Sequence, residues 1–198
     1  MTLYDIEAKL SATSCGGKNY KVMLNGEMKM FLLQMAGYPG SGKSTLSKKI
    51  AKTTGAIVID RDVIKSSLIV SDVPEELLAP AAHNVLFELA KFYLNMKLDV
   101  ILDCPCYYEL TVNRGTDIAI NCEAKYKYIE CRVEDYSILE NRINTRDILP
   151  SQFRTASYEP FKNSIDKSVR PKDGNYMIID TSTEDSYDYN SIQKYLKA

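Results

Sequence analysis

The 198-residue chain has no run approaching 18 apolar residues, so nothing in it reads as a helix that crosses a bilayer. Its N-terminus lacks the charged start and apolar stretch of a signal peptide, and a cytoplasmic protein is expected. The formal net charge is −1, too small to draw the chain to nucleic acid or an anionic membrane by a global field. A disulfide rhythm is missing as well. The five cysteines (Cys15, Cys104, Cys106, Cys122, Cys131) are odd in number and scattered, as expected of reduced thiols. Cys104-Pro105-Cys106 has no second Cys or His pair to complete a zinc site, and pocket-lining thiols are the simpler reading. The single histidine, His83, stands in an otherwise apolar helical stretch and is expected to pack at the core or its boundary. No internal repeat or low-complexity tract occurs. What is present, 45% hydrophobic and 26% charged residues, is ordinary for one soluble globular domain.

Against this plain background one segment stands out. Gly37-Tyr38-Pro39-Gly40-Ser41-Gly42-Lys43-Ser44-Thr45 is an unbroken phosphate-binding loop, flanked by the apolar run 30–36 and the helical pattern after Lys43. Its glycines let backbone N–H groups turn inward around phosphate oxygens, and the following helix adds the positive end of its dipole. Lys43 can reach the β- and γ-phosphates, and the Ser44 hydroxyl can sit on Mg²⁺. Binding of a nucleoside triphosphate is therefore assigned to Gly37, Pro39, Gly40, Ser41, Gly42, Lys43, Ser44 and Thr45.

From the loop onward, β-rich runs alternate with helical periodicity. Strands are predicted at 30–36, 56–59, 100–102, 126–131 and 177–179. Helices are predicted near 43–52, from 63, over 75–96, 111–120 and 136–147, and from 189, with an irregular stretch up to about 169. Such alternation implies a parallel sheet covered on both faces, with ligands at the carboxyl ends of its strands. Residues 1–29 stand apart, and Asn25-Gly26 between two apolar runs predicts an appended hairpin there.

Gly37, Asp60, Asp62 and Asp103 all fall at predicted strand ends. Asp62 is a candidate general base for an attacking hydroxyl, or else a helix cap, and Asp60 two residues earlier is its rival. Asp103 ends its strand where an acid can help hold Mg²⁺. The next residue is Cys104, not the glutamate that orients water in hydrolytic ATPases, which favours transfer over hydrolysis. Arg142 and Arg146, four apart on a predicted helix, can grip phosphates from a lid or form a solvated face with Glu140 and Asp147. Lys65 and Arg114 are further candidates for steering a substrate, each with a plain surface or ion-pair alternative. Tyr107 and Tyr108 are placed to shape an acceptor pocket.

The loop, Asp60-Arg61-Asp62-Val63-Ile64-Lys65, Val100-Ile101-Leu102-Asp103 and the pair Arg142 and Arg146 together resemble the small P-loop kinases. The likeness is to the branch holding the kinase domain of polynucleotide kinase and the AAA-type predicted kinases, and it runs over about 31–180. It implies an α/β three-layer fold with a five-stranded parallel sheet ordered 2-3-1-4-5 and a short helical lid around 142–165. By the same resemblance Asp62 inherits the base role and Lys65 stands where an arginine would contact the acceptor. ATP and Mg²⁺ are the implied cofactors. The expected reaction is transfer of the γ-phosphoryl group to a hydroxyl of a small molecule. A polynucleotide or nucleoside 5′-hydroxyl kinase is the alternative, disfavoured for long nucleic acids by the near-neutral charge. A nucleotide-dependent switch or toxin-like regulator is the alternative of another class.

Overall fold

The computed structural model describes residues 30–152, 155, 157–166 and 168–198. The hairpin expected over 1–29 lies outside the described residues.

Five strands alternate with helices: β1 (Phe31–Ala36), α1 (Lys43–Thr54), β2 (Ile57–Asp60), α2 (Arg61–Val70), α3 (Glu75–Asn95), β3 (Val100–Asp103), α4 (Glu109–Asn121), β4 (Lys125–Arg132), α5 (Tyr136–Thr145), α6 (Tyr158–Asp166), β5 (Met177–Asp180) and α7 (Tyr189–Lys197). All four strand pairings are parallel, and the order is β2-β3-β1-β4-β5, as the resemblance implied. Strand β1 is central and buried along its whole length, so it carries apolar residues on both faces instead of alternating. Leu33 and Met35 pack with Leu46 and Ile50 of α1 and Ile192 and Leu196 of α7. Leu32 faces the other way, against Leu86, Ala90 and Leu94 of α3 and Ala119 of α4. These two layers fix the carboxyl ends of β1, β2 and β3 side by side.

Three local departures from the predicted boundaries bear on the site. Helix α2 begins at Arg61, two residues before the predicted start, because Asp60 caps it: its Oδ1 accepts from the N–H of Asp62 at 2.8 Å and of Val63 at 3.4 Å. Helix α5 stops at Thr145, and Arg146 has extended backbone (φ −78°, ψ 152°). The irregular stretch contains a helix, α6. Among the described residues no helix is long and apolar enough to cross a membrane.

Candidate active site

The loop after β1 is built on left-handed backbone at Gly40 (φ 82°) and Gly42 (φ 89°), which only glycine adopts without strain. Gly42 is also the residue that opens α1, so the loop amides and the helix N-terminus face one place. The Lys43 ammonium folds back over the loop, donating to the carbonyls of Gly37 at 2.8 Å and Tyr38 at 3.1 Å. On the far side Thr181, just past β5, donates its hydroxyl to the Ser41 carbonyl at 2.5 Å. The loop is thereby tied to the opposite edge of the sheet.

A cleft of about 1390 Å³ opens over this loop. Pro39, Gly40, Gly42, Lys43, Ser44 and Thr45 line it together with Asp60, Asp62, Lys65, Asp103, Arg142 and Arg146. Gly37 and Ser41 line a small neighbouring pocket under the loop. Residues spread over more than 100 positions of sequence thus meet in one place.

Asp103 is the most buried acid lining this cleft, with 4% of its surface exposed. Burial pushes its carboxyl up to about 6, against the Lys43 charge and a hydrogen bond with Ser44, while Asp60 and Asp62 push it further up. Its Oδ2 is buried and has no hydrogen-bond partner among the described residues. A hydroxyl and an orphaned carboxylate oxygen side by side, beneath a phosphate loop, fit a hard oxygen-seeking cation such as Mg²⁺.

Asp62 lies in the first turn of α2 and is not its cap, because Asp60 fills that position. Its Oδ2 accepts from Gln152 Nε2 at 3.0 Å, and its Oδ1 faces Arg61 Nη1 at 3.6 Å. Asp60 lines the cleft too, with its Oδ1 accepting from the two backbone amides at the start of α2. Burial raises the Asp60 carboxyl from its ordinary value.

The two arginines stand on different backbone, although both line the cleft. Arg142 stays on α5 and donates to three carbonyls, those of Gly40 (3.3 Å), Thr181 (2.8 Å) and Ser182 (2.7 Å). Arg146 follows the end of the helix and lines the cleft separately.

Arg114 is outside the cleft. Its guanidinium donates to Asn84 Oδ1 at 2.8 Å, pairs with Glu88 at 3.6 Å and stacks over Phe87 at 4.7 Å, so it clasps α4 to α3. His83 is half-buried at the cleft wall, and burial and the nearby Arg61 hold its imidazole below the usual value. Cys104 lines the cleft as a buried thiol, pushed up to about 12 by burial and contacted by Gln34 Nε2 at 3.1 Å. Tyr107 and Tyr108 are also in the wall. Ser151, Gln152 and Thr181 carried no sequence signal, since isolated polar residues in irregular segments look alike.

A family profile described as an AAA domain matches residues 32–164. The L-seryl-tRNA(Sec) kinase of Methanococcus maripaludis is 27% identical over 167 residues, 81% of this chain, and the chain spans 62% of that protein's length. Among solved structures, a proposed kinase from Chloroflexus aurantiacus superposes with a TM-score of 0.66 at 19% identity, over 85% of this chain and 97% of that one. The APS kinase CysC of Mycobacterium tuberculosis, solved with AMPPNP and APS, gives 0.61 at 11% identity, over 87% and 100%. A gluconokinase from Sinorhizobium meliloti gives 0.52 at 15% identity, over 86% and 91%.

Proposed function

Because this chain belongs to the AAA domain family of small P-loop kinases, we propose that it transfers the γ-phosphoryl group of ATP to a hydroxyl of a small molecule. The observation that carries this reading is the Asp62 carboxylate, which opens onto the same cleft as Lys43, Ser44 and Asp103. Lys43 and the loop amides hold the triphosphate, while Ser44 and Asp103 would hold Mg²⁺. The cation, when bound, neutralises charge on the phosphates. Asp62 takes the proton of the acceptor hydroxyl as its oxygen bonds to the γ-phosphorus and the bond to ADP breaks. Arg146 balances charge on the transferring group, and Arg142 holds the loop and the segment after β5 together around the nucleotide. The end of α5 and helix α6 supply the lid of this arrangement.

A second reading, a larger acceptor such as an aminoacylated or 5′-hydroxyl nucleic acid, draws support from the similarity to the L-seryl-tRNA(Sec) kinase. The cleft volume also exceeds the roughly 300–1,000 Å³ usual for small-molecule sites.

Labelled γ-phosphate transfer decides between them, run with gluconate, adenylylsulfate, seryl-tRNA and a 5′-hydroxyl oligonucleotide in parallel. Transfer to a metabolite that Asp62→Asn abolishes, with ATP affinity kept, supports the leading proposal. Transfer only to the nucleic acids supports the second. Tight ATP binding without turnover on any acceptor points instead to a nucleotide-dependent switch.

A further inference from the structure

We infer that Gln152 is the positioning residue for Asp62, orienting its carboxylate toward the acceptor hydroxyl. This rests on the reading of Asp62 as the general base. The two residues are 90 positions apart, and the contact exists because a short turn at 149–152 docks onto the N-terminus of α2.

The docking is directional at every atom. Gln152 N–H closes the turn on the Leu149 carbonyl at 2.9 Å, and Leu149 N–H donates back to Gln152 Oε1 at 3.2 Å. A backbone N–H demands an oxygen, so the side-chain amide is oriented without ambiguity and its NH₂ group faces Asp62. That group donates to Oδ2 at 3.0 Å. Beside it Ser151 pins the turn to α2 through three bonds. Its hydroxyl donates to the Asp62 carbonyl at 2.9 Å, it accepts from Ser66 Oγ at 2.9 Å, and its N–H donates to Ser66 Oγ at 3.2 Å. Donor and acceptor counts of both hydroxyls close without conflict.

The division of labour follows. Ser151 and Ser66 hold the turn in place, and the Gln152 NH₂ group is directed to Asp62. With Gln152 on Oδ2 and Arg61 facing Oδ1, both carboxylate oxygens have a partner while the side chain lines the cleft. Preorganisation of this kind raises turnover without contributing to nucleotide binding.

The test is a double-mutant cycle on the full chain with Gln152→Met and Asp62→Ala. It is read as single-turnover phosphate release from γ-labelled ATP with water as the acceptor, alongside the Kd for ATP. The expected result is a roughly tenfold loss in rate for Gln152→Met. Its ATP Kd and thermal midpoint should be unchanged, and the variant should cause no further loss once Asp62 is Ala. An equal, additive loss in both backgrounds overturns the inference and leaves Asp62 as base. A loss that follows the thermal midpoint or the Kd overturns it too, in favour of a structural role. A wild-type rate for Asp62→Ala removes the base reading itself, and the role of Gln152 with it.

Discussion

Asp60 and Asp103 are register partners at the carboxyl ends of the adjacent parallel strands β2 and β3. The two acids are used in opposite ways. Asp60 bonds to the first amides of α2, while Asp103 keeps beside Ser44 a buried oxygen with no hydrogen-bond partner among the described residues. One acid builds the frame and the other is held ready at a cost.

That cost is measurable through Asp103→Asn. The folded carboxyl sits near 6 against an ordinary 3.8, so the folded state holds the proton more tightly. Stability therefore falls as pH rises from about 4 to about 6 and stays lowered above it, by about 3 kcal/mol at most. Asparagine removes the ionisation. The variant should melt higher than the parent at pH 8, with the difference shrinking below pH 5, while Mg²⁺-dependent turnover is lost. Thermal melts across this pH range, without nucleotide, check the sign.

Glu130 gives the opposite dependence. Burial alone would raise its carboxyl, but hydrogen bonds and charge from Arg170 at 2.6 Å and Arg132 at 3.0 Å outweigh that and hold it below its ordinary 4.5. Its contribution is fully present above pH 4.5 and disappears as pH falls through the folded value. Glu130→Gln should cost about 2–4 kcal/mol at pH 7, because two partly buried guanidinium groups lose their partner. Denaturant midpoints of parent and variant should converge in acid.

Arg142 and Arg146 should separate kinetically. Arg142→Ala removes three carbonyl contacts that join the loop to the segment after β5, and the Kd for ATP should rise about tenfold. Arg146→Ala should instead lower turnover far more than affinity. Titration calorimetry for ATP, paired with single-turnover rates, compares the two variants directly.

Gly37→Ala tests the loop geometry. At φ 131° the position is strained for any side chain, and a Cβ would press on the Cys131 carbonyl oxygen and lie 2.6 Å from Ser41 Oγ. Both β4 and the loop would have to shift. Loss of ATP binding with a lowered melting temperature is expected, measured by calorimetry and thermal denaturation.

Much of the frame could be read from the chain itself. The loop from Gly37 to Thr45 is a contiguous motif whose geometry is local, and alternating β-rich and helical runs define a parallel sheet. The candidates at strand ends also came together, since a parallel sheet delivers every such end to one edge. Arg114 failed that logic because it belongs to a helix, and a helical residue's neighbours depend on how helices pack.

The sequence by itself thus determined a nucleotide loop, an α/β sheet and a short set of acids and arginines. Tertiary structure decided which acid caps α2 and which remains open, since Asp60 and Asp62 differ only in where the strand turns into the helix. It also brought Gln152 to Asp62 and Arg142 to the carbonyls of Gly40, Thr181 and Ser182. The physical reason is range. Loop and strand signals are written in neighbouring residues, whereas a hydrogen bond across 90 positions exists only once packing has brought its two ends together.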